Sequence, residues 1–179
     1  DAVGMPLSKM GVWRATAKAG QALTAEKARE AERVGLPAEA GQDPREPRLE
    51  QDRAIEEQAN ISSDGVMVRL RYEGWKEAKA AAISEVELLP PKGTRPGVPP
   101  RRRDHDPQVK LGEHSYVAGL WDADEFAPYQ YAEGLRRGLD TVETLTSVND
   151  GAPWIGRVTK TNWPVARQIV DWHHAGGHV

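Results

Sequence analysis

The sequence predicts an α/β fold: a mixed sheet in the order β-β-β-α-β-α-β, preceded by a helical amino-terminal segment. Three observations predict it. The texture changes near Asn60, before which the chain is rich in Ala, Glu, Lys and Arg and has no aromatic residue after Trp13. Beyond Asn60, short apolar runs with period-2 alternation recur between turn signals. The first runs are spaced like hairpins and the later ones are separated by helix-length stretches, which is the pattern of a sheet of mixed strand direction.

Taken in order, Ala25–Val34 predicts a helix. It follows Thr24-Ala-Glu-Lys27, a capping-box-like start with Lys in place of Glu or Gln, and it ends near Gly35 with Pro37 behind it. Residues 37–47 read as a linker rich in Gly, Pro and charge. Leu49–Ala59 is a candidate second short helix whose apolar face is too thin to stand alone. Ile61–Arg71 alternates Val66, Val68 and Leu70 with Met67, Arg69 and Arg71, as a half-buried strand does. After the tight connection Tyr72-Glu-Gly74, Trp75–Leu89 predicts its hairpin partner, although the Ala-rich middle also suits a helix. The proline-rich stretch Pro90–Lys110 reads as an exposed loop. His114–Trp121 is the third strand. Asp122–Gly138 is a helix with Asp122 at the N-cap and Phe126, Tyr129, Tyr131 and Leu135 on its apolar face. Val142–Val148 is the fourth strand, Pro153–Trp163 a helix opened by proline, and Val165–Val170 the fifth strand.

Bulk properties limit the function. The 179 residues suffice for one domain with its own core. There is no cysteine, which excludes disulfides and cysteine-ligated zinc. No apolar run approaches the roughly 20 residues of a membrane helix, so no membrane partner is expected. The first residues lack the layout of a secretory signal. Both ends read as cuts in a longer protein. The net charge of −3 provides no global positive field for nucleic acid, but Lys92, Arg95, Arg101, Arg102, Arg103 and Lys110 cluster in one loop.

Candidate chemistry centres on carboxylates. Asp64, between Ser63 and Gly65 in the first strand, is costly in a sheet interior unless paired or bound to metal. Its plain alternative is an exposed aspartate at a bulge supplied by Gly65. Asp150 follows the fourth strand, where α/β sheets present ligand-binding residues, yet Asn149-Asp150-Gly151 is also a common turn. With the first strand central and the fourth beside it, both acids come to one edge, as a pair of Mg²⁺ ions requires. Asp171 and His174 form a D-x-x-H arrangement after the fifth strand, whereas His173 and His178 read as loop histidines. Arg101, Arg102 and Arg103 form either a solvated loop or a DNA-backbone contact. Trp75, Trp121, Trp154, Trp163 and Trp172 read as core and lid residues rather than base-stacking platforms.

Ser63-Asp-Gly-Val-Met-Val68 with Gly74-Trp-Lys-Glu-Ala-Lys79, then Asn149-Asp-Gly-Ala-Pro-Trp-Ile155 and Asp171-Trp-His-His-Ala175, resemble the ISKra4-type bacterial insertion-sequence transposases. These are relatives of the Mutator-like DDE group. Tyr116–Phe126 and Ala132–Leu139 are similar to the stretch between the family's first two acids, so the likeness covers about Ile61 to Ala175. Thr24–Gly35 is only loosely similar to the helical DNA-binding region that precedes such cores. Gly156 and His173 depart from the family, which tends to carry an aromatic residue at each.

The resemblance implies an RNase H-like core that cuts and joins DNA with two Mg²⁺ ions, or Mn²⁺ in their place. Asp64 matches the first catalytic, metal-binding acid and Asp150 the second. Asp171 and His174 match a signature of unsettled role, and the third acid, a Glu on a later helix, has no counterpart before Val179. On this reading residues 1–59 are a helical segment with a linker, expected to bind DNA, and residues 60–179 are a catalytic core that ends before the third acid. The chain is then expected to be inactive alone. The parent protein is expected to act on transposon ends and target DNA as a homo-oligomer, in the bacterial cytoplasm and on the nucleoid. The rival expectations are a non-catalytic DNA-binding or regulatory fragment, and another RNase H-like nuclease.

Overall fold

Alternating apolar residues from Gln58 to Gly119 produce three long strands, and the rest of the chain adds helices and two short strands. The computed structural model describes residues 8–36, 49, 51–91, 93, 97 and 106–171. In chain order the elements are α1 (Lys9–Val34), β1 (Gln58–Leu70), β2 (Gly74–Leu89), β3 (Gln108–Gly119), α2 (Ala123–Arg136), β4 (Thr144–Asn149), α3 (Pro153–Asn162) and β5 (Arg167–Val170). They form an α/β structure around one five-stranded sheet of order β3-β2-β1-β4-β5. The β1–β2 and β2–β3 pairs are antiparallel, and the β1–β4 and β4–β5 pairs are parallel. The expected strand count and mixed direction are therefore present, with β1 at the centre.

Several boundaries differ for identifiable reasons. Helix α1 starts at Lys9 rather than Ala25, because Ser8 caps it by accepting from the Gly11 amide at 3.0 Å. Thr24 lies inside the helix and donates back to the Gly20 carbonyl at 2.9 Å. Its end is where expected, at Gly35 with φ of 60°.

No helix forms over residues 51–57, contrary to expectation. The backbone groups there bond to other elements instead. The Asp52 and Ile55 amides donate to the Arg136 and Arg137 carbonyls, and the Glu56 and Glu57 carbonyls accept from Glu143 and Thr144. Strand β3 begins at Gln108, earlier than the expected His114, because the outer arm of β2 offers pairing partners from Val86 to Leu89. Its apolar residues Val109 and Leu111 are exposed on the sheet edge, so they leave no burial pattern. The Ala-rich middle of β2 is a strand because β1 and β3 satisfy its backbone from both sides.

Pleating divides the sheet into two faces. One carries Ala59, Ile61 and Ile83, which pack with Leu145, Leu139 and Trp163. Beside them Ala81 and Val117 pack with Phe126, Ala127 and Val158. Helices α2 and α3 therefore cover this face. Asp122 caps α2 by accepting from the Asp124 and Glu125 amides, while Glu125 accepts from the Asp122 amide, a complete capping box. Helix α1 joins this layer through α2, by the Lys27–Glu133 ion pair and by Arg136 with Glu30 at 3.5 Å. No described helix is long and apolar enough to cross a membrane.

Two helical glycines differ in surroundings and set opposite expectations for the same substitution. A Cβ on Gly134 in α2 would collide with the indole of Trp163, whereas one on Gly20 in α1 meets nothing within 4 Å. Gly20→Ala is expected to raise stability by about 1 kcal/mol through helix propensity. Gly134→Ala is expected to lower it, since overpacking costs about 1–3 kcal/mol and outweighs that gain. Urea denaturation of both variants checks the opposite signs.

Candidate functional site

The two acids singled out in the sequence are placed by the β1–β4 pairing. The parallel ladder runs from Gln58 opposite Thr144 to Ile61 opposite Ser147. Continued at the same offset, it sets Asp64 opposite Asp150. Backbone pairing stops at Ile61, but a side chain extends the connection: the Ser63 amide donates to Asn149 Oδ1 at 2.6 Å. The residues immediately preceding the two acids are thus bonded to each other.

Asp64 is exposed and its Oδ1 accepts from the Gly65 amide at 2.7 Å. The β1–β2 register runs unbroken through Asp64–Ala80 and Gly65–Lys79, so no bulge occurs at Gly65; the irregularity lies between Ser84 and Val86. Exposure, rather than pairing, relieves the desolvation expected of a carboxylate in a strand. Asp150 is half-buried and its Oδ1 accepts from the Ala152 amide at 2.8 Å, which makes it a turn residue as well as a candidate ligand. Gly151 at φ of 87° lets the chain turn from β4 into α3, and Pro153 opens that helix.

Asp171 follows β5, and its amide donates to the Asn149 carbonyl at 2.8 Å. Asp150 and Asp171 therefore follow the carboxyl ends of the neighbouring parallel strands β4 and β5, with Asp64 level beside them on β1. Among the described residues no three metal-ligating side chains form a group able to hold a metal ion. Arg101, Arg102, Arg103 and His174 lie outside the described residues.

A buried polar network supports the two acids, and its helical members Gln130, Asn162 and Thr159 are not among the candidates the sequence offers. Gln130, fully buried on α2, donates to Ser63 Oγ at 2.9 Å. Asn162 on α3 donates to Gln130 Oε1 at 2.9 Å and to the Ala127 carbonyl at 2.8 Å. Asn149 donates to Ser147 Oγ at 2.6 Å, and Ser147 shares a hydrogen bond with Thr159 at 3.3 Å. One signal was available: Gln130 falls four residues after Phe126 and Thr159 four after Ile155, so each interrupts an apolar helix face.

Lys79 is also buried, with its ammonium 2.5 Å from Glu77 and 4.5 Å from the centre of the Trp154 ring. Trp163 is a core residue and Trp121 and Trp154 are half-buried, whereas Trp75 is exposed rather than core or lid. Trp172 lies outside the described residues. Gly156 lines a hollow of about 140 Å³ between the start of α3 and β5.

No family model matches the chain, and neither a curated protein nor a solved structure matches it.

If Asn149 holds the β1 and β4 ends together, Asn149→Ala leaves the Ser63 amide without its acceptor. An unsatisfied buried donor costs about 1–3 kcal/mol, so exchange of the Ser63 amide hydrogen is expected to accelerate by roughly tenfold or more. Asp150→Asn is expected to leave that amide protected. Native-state hydrogen exchange distinguishes the two.

Proposed function

We propose that this chain carries part of an RNase H-like core and belongs by descent to the DDE transposases, whose chemistry is metal-dependent cleavage and transfer of DNA strands. The observation that carries the reading is the shared register of Asp64 and Asp150 at the carboxyl end of the β1–β4 pair, linked through Ser63 and Asn149. The strand order, with an antiparallel β1–β3 meander and then parallel strands β4 and β5, supports the same reading. So do the motif segments around both acids.

The donor set suits a hard divalent cation. Each aspartate uses Oδ1 for a backbone amide, and among the described residues no hydrogen bond engages either Oδ2. Oxygen-only donors at a partly exposed edge fit Mg²⁺ or Mn²⁺ rather than zinc. Such an ion, when bound, polarises a phosphoryl oxygen and readies the attacking oxygen. The chain's own contribution is positional. Asp64 and Asp150 supply negative oxygen ligands, while Asn149, Ser63 and Gln130 keep the two strand ends level. Asp171 follows the next strand, β5, and forms no three-ligand group with Asp64 and Asp150 among the described residues.

Titration calorimetry with MgCl₂ tests the reading. Wild-type chain is expected to bind in the millimolar range, and the Asp64→Asn/Asp150→Asn double variant not at all. Equal binding by both proteins would overturn it.

A second reading, DNA binding without catalysis, draws on α1. Lys9, Arg14 and Lys18 are exposed there, and no acid occurs in the helix before Glu26. It expects salt-dependent DNA binding that survives loss of both aspartates and falls when those three cations become Gln. Electrophoretic mobility shifts across a salt series measure this directly.

A further inference from the structure

Beyond Asp64, β1 and β2 leave the sheet. The β1–β4 ladder ends at Ile61 and the β2–β3 ladder begins at Lys79, so residues 66–70 and 74–78 pair only with each other. A two-stranded ribbon is marginal in water, and this one exposes large side chains that a free ribbon gains nothing by carrying. Tyr72 is 87% exposed, Trp75 63% and Met67 56%.

Its charges are sorted. Glu77 is taken by Lys79 at 2.5 Å and Glu73 by Lys76 at 3.9 Å. Arg69 and Arg71 have no acidic partner among the described residues, and Arg71 lies 5.3 Å from the centre of the Tyr72 ring. Arg69 stands directly opposite Trp75, so cation and indole share one face of the ribbon.

From these observations we propose that the outer β1–β2 ribbon is a DNA-contacting surface, with Arg69 and Arg71 meeting phosphates and Tyr72 and Trp75 stacking on bases. This rests on the reading that Asp64 and Asp150 act on DNA, and it names where that DNA is held. Unmatched guanidinium groups beside exposed rings offer what a nucleic-acid strand takes up: a counter-charge for its backbone and flat surfaces for its bases. An apolar protein partner would instead desolvate two unpaired arginines. The ribbon is close to the site along the strand. Arg69 is five residues from Asp64 on one strand, about 17 Å at roughly 3.4 Å per residue. A DNA strand spans a similar distance in about five nucleotides. The odd spacing sets Arg69 and Asp64 on opposite faces of the ribbon, so a DNA strand held by Arg69 and Trp75 passes the ribbon's edge to reach the two acids.

Fluorescence anisotropy with the full chain and a labelled DNA strand of about 20 nucleotides, over a salt series, tests the proposal. The variants are Arg69→Gln/Arg71→Gln and Tyr72→Ser/Trp75→Ser, all at exposed positions, with circular dichroism confirming that each folds. Both are expected to weaken binding by about tenfold or more. The arginine pair alone is expected to flatten the salt dependence, by about 1.4 in log–log slope for two lost contacts. Wild-type affinity in either variant overturns the proposal. So does a loss confined to the Lys9, Arg14 and Lys18 changes in α1, or the absence of DNA binding by the wild-type chain at low salt. The MgCl₂ titration is read separately: intact metal binding with failed ribbon variants removes the ribbon and leaves the two-acid site, whereas ribbon-dependent DNA binding without metal binding does the reverse.

Discussion

Strand β1 imposes the constraint on which the other elements depend, because it is paired on both sides over its first part and on one side thereafter. Its register with β4 decides which side chains reach the helical layer. A slip of one residue would turn Ile61 out of the core and move Asp64 to the face under α2 and α3. The hydrogen bond from the Ser63 amide to Asn149 holds that register just past the end of the ladder, where backbone pairing no longer does. The position of Asp64 relative to Asp150 depends on this one short contact and on the pairing behind it.

The helical layer reinforces the same junction from beneath. Apolar packing of Phe126, Ile155 and Trp163 brings α2 and α3 onto the sheet, and that burial would be expensive for the polar groups near the strand ends if they were unpaired. Gln130, Asn162 and Thr159 instead meet Ser63, Ser147 and one another. Only Asn162 Oδ1 in this network is buried without a partner; such a network specifies geometry more than it adds stability, since losing any member leaves its neighbours desolvated. The outer ribbon has no such layer beneath it, which is why its residues face solvent and are available to a partner.

Much of this was legible in the sequence where local pattern and tertiary environment agree. The capped start of α2 at Asp122, the turn at Gly151 and the proline opening α3 all follow from residues acting within a few positions of themselves. Asp64 and Asp150 could be picked out as candidates from their strand and turn contexts. The failures arose where distant partners decided. Leu49–Ala59 looks helical by composition, yet residues 52–57 bond to the end of α2 and the start of β4. The start of β3 was hidden because an exposed edge strand shows no burial alternation. Thr24 resembles a cap, but Ser8 is the residue with a free helix end to satisfy.

The sequence by itself determined the order and type of most elements, the two candidate acids and the lack of any thiol chemistry, since each of these depends on residue identity and short-range spacing. Only the tertiary structure decided that the acids are level, that Gln130 and Asn149 support them, and that Trp75 is exposed rather than buried. The first two depend on pairings between residues 67 to 86 positions apart, such as Ser63 with Gln130 and with Asn149. Local propensity carries no record of such distances, so only the folded register reveals them.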